Sequence, residues 1–298
     1  MYLKFKLYLK LIRIYQWTKN GFVILPFFFS NEAIEVFRNP FTQASLSIMI
    51  RLFIAFFSFS FIASSIYILN DYKDRELDKL DAKKRNRPLA NGSVTSYEAF
   101  FLFFILFFLS LLLSSLLNLI SLGLILFYFF MNLFYSFLGK KIVLLDVFLI
   151  SLGFVIRVLF GSFSISIPAS PWLITTTFFI ALFLGFYKRL FETKNSPKEI
   201  LMGGPYRKEF LKSFIDISAS LAIINYSLYT ILGTHANANL YWTIPFVVMG
   251  IFRYYTLLEN PDNQEGNPSD VLLSDPFLAI IILSWTIACM SLILYFRN

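Results

Sequence analysis

The stretch AFFLFFILFFLSLLLSSLL at residues 99–117 decides the fold class, because it carries no charge and is as long as a membrane-spanning helix. Comparable apolar runs recur along most of the chain. Over all 298 residues, 57% are hydrophobic and 15% are charged, whereas soluble domains carry about 25% charged residues. The sequence therefore predicts an all-α polytopic membrane protein, and a soluble globular fold is excluded.

The apolar runs predict nine transmembrane helices, each near the ~20 residues that a bilayer requires. The first is the weakest, because Arg13, Gln16 and Lys19 interrupt it. We interpret these residues as a polar helix face turned towards a cavity. The short connection at 115–121 predicts an antiparallel helix pair. The nine predicted spans cover residues 11–30, 44–69, 96–117, 119–138, 142–165, 171–190, 214–233, 240–257 and 276–296.

The distribution of positive charge predicts the orientation of these spans. With nine spans, all but four of the 26 Lys and Arg residues fall on one side of the membrane. An excess of Lys and Arg marks the cytoplasmic side, so the N-terminus is predicted inside and the C-terminus outside. The net charge of +8 thus reflects topology and does not indicate a nucleic-acid partner. We expect one domain over 1–298, with cytoplasmic catalytic loops at about 70–95 and 188–213.

Three carboxylates close the second predicted span: Asp71, Asp74 and Asp78. At about 100° per residue they fall within an arc of about 60° on one helical face. Such crowded carboxylates repel one another unless a cation neutralises them. The single Cys and single His exclude a Cys-based or multi-His metal site, so a metal here must use oxygen ligands, which Mg²⁺ prefers.

Basic residues follow the carboxylates within a few positions, and basic side chains can hold phosphate oxygens. They are Lys84, Arg85 and Arg87. Acidic and basic residues in this order predict a site for Mg²⁺ and a diphosphate. The alternative is a solvated loop in which these charges pair with one another.

The motif Asn70-Asp71-x-x-Asp74-x-x-x-Asp78, followed by Lys84-Arg85-x-Arg87-Pro88-Leu89-Ala90-x-Gly92, resembles the first signature of the UbiA-type intramembrane prenyltransferases. The resemblance implies a nine-helix bundle with a central cavity open to the cytoplasm and to lipid. It also implies that Asp71, Asp74 and Asp78 bind Mg²⁺ and are catalytic.

The second motif departs from the common pattern of this family. Members that join a polyprenyl diphosphate to an aromatic acceptor carry a second Asp-rich motif between helices six and seven. This chain instead has Tyr187-Lys188-Arg189-x-x-Glu192, and no Asp follows before Asp216. Fixed positive charge suits a substrate that is itself a phosphate, and Glu192, one turn beyond Lys188, can orient that side chain.

The Tyr-Lys-Arg-x-x-Glu pattern is similar to that of the decaprenyl-phosphate phosphoribosyltransferase branch of the family. Further stretches resemble the same branch: Gln16-Trp17-x-Lys19-Asn20, Leu145-Asp146 through Gly153-Phe154-x-x-Arg157, and Pro268-Ser269-Asp270-Val271-Leu272-Leu273-x-Asp275. The resemblance implies that Lys188 is catalytic beside the three aspartates. The implied substrate-binding residues are Lys19, Asn20, Asn70, Lys84, Arg85, Arg87, Asp146, Arg157, Tyr187, Arg189 and Glu192.

Two of these regions also have a structural interpretation. Arg157 lies in the middle of a span, where a charge costs at least ~2.5–3.5 kcal/mol on insertion scales. We predict a phosphate or Asp contact for it, with a structural ion pair as the alternative. Asp275 precedes Pro276, and this order predicts a helix N-cap.

The resemblance implies Mg²⁺-dependent transfer of the 5-phosphoribosyl group from phosphoribosyl diphosphate to a polyprenyl phosphate, with release of diphosphate. The implied location is a bacterial cytoplasmic membrane, with the active site facing the cytoplasm. Two alternatives stay open: a prenyltransferase acting on an aromatic acceptor, and a cation transporter that uses the aspartates as an ion site. The sequence does not determine the lipid chain length or whether the chain forms a homo-oligomer.

Overall fold

A computed structural model of the chain contains only helices as regular elements in the part that it describes. The chain falls into two compact units, and each is considered by itself. The first is Met1–Ile142 with Ile156–Pro168, and the second is Val143–Val155 with Ala169–Asn298. A single domain over 1–298 stays a prediction. The residues described are 2–81, 84–195, 206–233, 238–259, 271 and 274–295.

The first unit is built around one long helix whose start is capped by a hydroxyl. The Thr42 side chain accepts a hydrogen bond from the backbone N–H of Ser45, which satisfies one of the free donors at a helix start. A 3-10 helix, Ile14–Val23, packs against this helix. The α-helices up to residue 142 are α1 (Tyr2–Leu11), α2 (Leu25–Phe28), α3 (Asn31–Arg38), α4 (Gln43–Asp78), α5 (Ser96–Ser115) and α6 (Leu119–Phe137).

Helices α5 and α6 form the antiparallel pair that the short connection predicted. Thr95 and Glu98 make a reciprocal capping box at the start of α5, and Asn118 caps α6 by accepting from Ser121 N–H. Farther along, the Phe107 and Phe129 rings lie 4.8 Å apart between centroids. The pair is therefore defined by caps at its ends and aromatic packing between its helices.

The second unit packs aromatic and aliphatic side chains of its helices into one core. Phe183, Phe186 and Leu190 of the helix Pro171–Asn195 are buried there with Leu211 and Ile215 of the helix Lys208–Leu232. The start of the helix Pro276–Tyr295 is capped as predicted, because Asp275 Oδ1 accepts from Leu278 N–H at 2.6 Å. The helices are α7 (Leu145–Ile165), of which the part up to Val155 belongs to this unit, α8 (Pro171–Asn195), α9 (Lys208–Leu232), α10 (Ile244–Glu259) and α11 (Pro276–Tyr295).

Seven helices in the described part are long and apolar enough to cross a membrane: α4, α5, α6, α7, α8, α9 and α11. The prediction of one continuous first helix over 11–30 is wrong. Arg13 adopts a left-handed conformation with φ 54°, and the 3-10 helix Ile14–Val23 replaces α-helix there. The eighth predicted span corresponds to α10, which has 16 residues and is shorter than the ~20 that a span needs. The count of nine is therefore not confirmed.

Both predicted cytoplasmic loops are partly helical. Helix α4 continues through Asp78, and α8 continues to Asn195, because Lys, Arg and Glu sustain a helix as well as apolar residues do. The predicted spans were defined by the apolar runs in the sequence, and these two helices extend beyond those runs. Residues 196–205 of the second loop lie outside the described residues.

Candidate functional site

The first unit contains two buried carboxylates joined by one guanidinium. Asp71 and Asp78 lie two turns apart on α4 and are 2% and 5% exposed. Arg87 Nη1 donates to Asp71 Oδ1 at 3.1 Å and to Asp78 Oδ2 at 2.6 Å. A cationic nitrogen thus occupies the space between two carboxylates that the sequence predicted as metal ligands.

A second guanidinium, from the N-terminal part of the chain, also contacts Asp71. The left-handed turn at Arg13 ends α1 and starts the 3-10 helix, and Arg13 Nη2 donates to Asp71 Oδ1. The Arg13 guanidinium also lies 4.9 Å from the centroid of the Tyr67 ring. Asp71 therefore accepts hydrogen bonds from two cations, and it does so in a buried position.

The third aspartate of the motif faces a different partner. Lys140 Nζ lies 2.9 and 3.1 Å from the two carboxylate oxygens of Asp74. One turn earlier, Asn70 Oδ1 accepts from Ser136 Oγ. The face of α4 that carries Asn70 and Asp74 is thus held to the end of α6 and the residues that follow it.

This arrangement only partly fits the predicted metal site. No three acidic, His or Cys side chains converge to form a metal site in the ranges that the structure describes, because Asp74 pairs with Lys140. Asp71 and Asp78 do fit a divalent cation, since both offer carboxylate oxygens to one position that a positive group already occupies. Asp74 would have to leave Lys140 to join them.

The other basic residues of the first motif are exposed. Lys84 lies 3.5 Å from Asp81 through its ammonium group, and its backbone N–H donates to the same carboxylate at 3.0 Å. Arg85 is exposed to solvent. The alternative, in which the charges of this motif pair with one another, describes Lys84 with Asp81 and also Arg87 with Asp71 and Asp78. Phosphate binding by these residues stays a prediction.

Two residues predicted to bind substrate lie in a buried polar network. Arg157 is 4% exposed; its Nε donates to Asn20 Oδ1 and its Nη2 to Tyr128 OH, both at 2.9 Å. Asn20 donates in turn to Ser60 Oγ at 3.0 Å. These contacts hold both residues within the first unit, and their substrate contacts stay a prediction. Lys19, from the same 3-10 helix, is half-buried.

The second unit contains a separate charged cluster near the end of α8. Arg189 Nε lies 2.7 Å from Asp146 Oδ2, and Arg189 Nη1 donates to Glu192 Oε2. Lys188 Nζ lies 3.8 Å from Glu192 Oε1, which is the contact that the one-turn spacing predicted. A guanidinium is thus fixed along its edges by two carboxylates, with an ammonium group beside it.

A tyrosine that the sequence did not single out completes this cluster. Tyr206 OH donates to Asp146 Oδ1 and accepts from Leu144 N–H at 2.6 Å. Burial, reinforced by the hydrogen bond to Asp146, raises the pKa of Tyr206. The phenol therefore stays neutral and donates to Asp146 throughout the physiological pH range.

Tyr187 does not join the charged residues that follow it in sequence. It is fully buried in the core of the second unit, and its ring packs on Tyr254 with centroids 4.5 Å apart. A core position does not support the predicted substrate contact. The helix explains the difference, since consecutive residues point about 100° apart.

Sequence reasoning missed three residues of these clusters: Arg13, Lys140 and Tyr206. Arg13 had entered as part of a polar helix face and as one of the charges that set the orientation, and Lys140 only as one of those charges. An Arg within an apolar segment is costly unless it has a partner, and this signal pointed to Arg13. Tyr206 carried no comparable signal, because its role depends on how the chain returns to α7.

Comparison with known proteins identifies the class to which this fold and these clusters belong. Residues 40–274 match the UbiA prenyltransferase family, and this match covers most of the chain. The chain therefore belongs to the UbiA prenyltransferase family, and it is a transferase of the membrane.

Individual relatives extend the likeness over nearly the whole length. The chain is 29% identical to the decaprenyl-phosphate phosphoribosyltransferase of Mycolicibacterium smegmatis, over 93% of this chain and 89% of the relative. The protein of the same name from Corynebacterium glutamicum is also 29% identical, over 96% and 86%. A UbiA homologue from Archaeoglobus fulgidus, solved with GPP and Mg²⁺ bound, superposes with a TM-score of 0.71 at 17% identity, over 96% and 99%. This last likeness concerns the fold.

Proposed function

We propose that the protein transfers the 5-phosphoribosyl group of phosphoribosyl diphosphate to a polyprenyl phosphate, releasing diphosphate, in a bacterial cytoplasmic membrane. The observation that carries the proposal is the cluster at the end of α8, where Lys188 and Arg189 stand in place of a second carboxylate motif. The full-length likeness to proteins named as phosphoribosyltransferases supports the same substrate class.

The first unit is proposed to bind the diphosphate of the donor. Asp71 and Asp78 would hold Mg²⁺, with Asp74 joining when Lys140 releases it. The metal would stabilise the negative charge of the departing diphosphate. Arg87 and Arg13 already lie at the carboxylates, so they are placed to contact phosphate oxygens once a metal neutralises Asp71 and Asp78.

The second unit is proposed to bind a phosphate group of a substrate. Asp146 and Glu192 hold the Arg189 guanidinium in one orientation, which reduces the conformational freedom it would lose on binding. Lys188 is about one-third exposed and can present its ammonium group to the same anion. The attacking phosphate oxygen is ionised at neutral pH, so the reaction needs no strong general base.

A two-substrate assay tests this proposal directly. Purified protein with Mg²⁺ should release diphosphate only when phosphoribosyl diphosphate and a polyprenyl phosphate are both present. Turnover of a polyprenyl diphosphate with an aromatic acid would transfer the assignment to aromatic prenylation. Ion flux into proteoliposomes that Asp74→Asn abolishes would favour the cation-transporter alternative over both enzymatic assignments.

The Lys188→Ala variant tests the role of the second unit. We expect the transfer rate to fall by at least about tenfold, because the variant removes one of the two cations proposed to hold the phosphate group. Thermal stability should hardly change, since the side chain is partly exposed and its pairing with Glu192 is long. Wild-type turnover by Lys188→Ala would remove the main support for a phosphate-binding second unit.

A further inference from the structure

The 3-10 helix of the first unit runs along the face of α4 that carries Asp71. Ser60, Ser64 and Asp71 lie on this face, because their spacing in sequence places them on one side of the helix. Each is contacted by a residue of the segment that begins at Arg13. The contacts are Arg13 with Asp71, Trp17 Nε1 with Ser64 Oγ at 3.0 Å, and Asn20 Nδ2 with Ser60 Oγ at 3.0 Å.

Gln16 lies within this segment, between residues that are anchored on both sides. The backbone N–H of Gln16 donates to the carbonyl of Arg13 at 2.8 Å. Gln16 therefore lies one 3-10 turn after Arg13, whose side chain contacts Asp71. In a 3-10 helix, residues three apart share a face, and Lys19 is therefore on the face of Gln16. Gln16 thus lies one turn along the chain from Arg13, a cation of the proposed diphosphate site.

The side-chain oxygen of Gln16 is buried without a partner. The residue is 6% exposed, and among the described residues no donor reaches its Oε1. The neighbouring polar side chains Trp17 and Asn20 are both hydrogen-bonded. A buried acceptor left unpaired costs more than an ordinary hydrogen bond contributes, so a polar residue here is unfavourable unless a ligand or a water molecule supplies a donor.

The substrate that supplies the transferred group differs between the proposed reaction and the alternative reaction, and the difference lies in its hydroxyl groups. A sugar diphosphate carries hydroxyl groups on its ring, whereas a polyprenyl diphosphate carries none beyond its phosphates. A site built to hydrogen-bond a substrate hydroxyl discriminates strongly against a compound that lacks it, because the buried group is then left unpaired.

We propose that Gln16 is a specificity-determining residue whose Oε1 accepts a hydrogen bond from a hydroxyl of the sugar ring of the donor. This inference rests on the proposed function and deepens it, since it assigns a residue to the sugar and not to the phosphates. Gln16 would thereby favour a sugar diphosphate over a prenyl diphosphate at the same carboxylates.

The test compares two ligands that share the diphosphate and differ in the sugar. Dissociation constants of phosphoribosyl diphosphate and of inorganic pyrophosphate are measured by calorimetry with Mg²⁺ on the detergent-solubilised full-length protein. For Gln16→Leu we expect binding of phosphoribosyl diphosphate to weaken about fivefold or more, the value of one hydrogen bond. Binding of pyrophosphate should change by less than about twofold.

Matched variants separate this role from a structural one. Thr18→Val alters an exposed residue of the same 3-10 helix and should leave both constants unchanged. Ligand-free Gln16→Leu should be as thermally stable as wild type or more so, because it removes an unpaired buried acceptor. If Gln16→Leu fails to fold, Gln16→Met keeps the length of the side chain, and the same ratio of constants is expected.

The outcomes distinguish this inference from the proposed function. Equal weakening of both ligands, or no change in either, overturns the role of Gln16; the second result would mean that its oxygen binds water. If wild-type protein binds pyrophosphate and not phosphoribosyl diphosphate, the proposed function fails before any variant is compared. Loss of stability in ligand-free Gln16→Leu and Gln16→Met would also overturn the inference.

Discussion

At the scale of single residues, the aspartates of one motif differ in burial and in the ion pairs that they make. Asp71 is buried and accepts from two guanidinium groups, whereas Asp74 is about one-third exposed and pairs with Lys140. Breaking a buried pair costs about 3–5 kcal/mol because it leaves a charge without compensation. A partly exposed pair contributes about 1 kcal/mol or less.

Asp71→Asn and Asp74→Asn should therefore both lose transferase activity and differ in stability. We expect Asp71→Asn to lower the unfolding free energy by about 3 kcal/mol and Asp74→Asn by about 1 kcal/mol or less. Thermal unfolding in detergent, followed by tryptophan fluorescence, measures the difference. Equal shifts in the two variants would contradict the burial argument.

We expect Arg87 to compete with a metal for its carboxylates, because it bridges Asp71 and Asp78. In Arg87→Gln, Mn²⁺ alone should bind about tenfold more tightly, a coupling of ordinary size, while transfer activity falls. The affinity is measured from the electron paramagnetic resonance signal of free Mn²⁺, which falls as the ion binds. Lys79→Gln removes a charge from the same helix end, where Lys79 pairs with Glu76, and should leave the affinity unchanged. Weaker Mn²⁺ binding in Arg87→Gln would show that the bridge supports the metal.

At the scale of elements, the 3-10 helix is held against the part of α7 that belongs to the first unit. Gly161 permits this approach, because a Cβ at that position would lie 1.8 Å from the carbonyl oxygen of Val23. The α7 helix thus packs backbone against backbone here. The same helix places Arg157 one turn earlier on Asn20, so packing and polar contacts act together on the 3-10 helix.

Gly161→Ala should destabilise the protein by about 2 kcal/mol or more, as expected for overpacking against backbone that cannot move away. Gly123→Ala in α6 is the matched control, because nothing lies within 4 Å of its added Cβ. That variant should be neutral or more stable by about 0.5–1 kcal/mol. Thermal unfolding of both variants makes the comparison, and a neutral Gly161→Ala would mean that α7 and the 3-10 helix separate readily.

At the scale of the whole molecule, the charge asymmetry predicts which ends of the helices face the cytoplasm. Ser93 precedes α5 and is predicted inside, and Leu116 follows α5 and is predicted outside. Cys289 is fully buried, so the native thiol should give little background in a labelling experiment. The orientation of the proposed diphosphate site depends on this assignment.

Ser93→Cys and Leu116→Cys test the orientation with a membrane-impermeant maleimide. In intact cells or right-side-out vesicles, Leu116→Cys should be labelled and Ser93→Cys should not. Inverted vesicles should reverse the pattern, because the two positions lie on opposite sides of the bilayer. Labelling of Ser93→Cys from outside would place the aspartate motif on the wrong side for the proposed donor.

The sequence by itself determined the membrane-embedded helical class, the family and the identity of the Asp motif. Those features depend on composition and on residues close in sequence, which a helix presents at known angles. The N-cap at Asp275 and the contact of Lys188 with Glu192 followed from the same local rules.

Only the tertiary structure decided which charges meet. In the structure, Arg13 and Arg87 donate to Asp71, Lys140 donates to Asp74, and Tyr206 donates to Asp146. It also broke the first predicted helix at Arg13 and buried Tyr187 in the core. These outcomes join residues far apart in sequence, and their energies depend on burial and on neighbouring charges, which no local pattern contains.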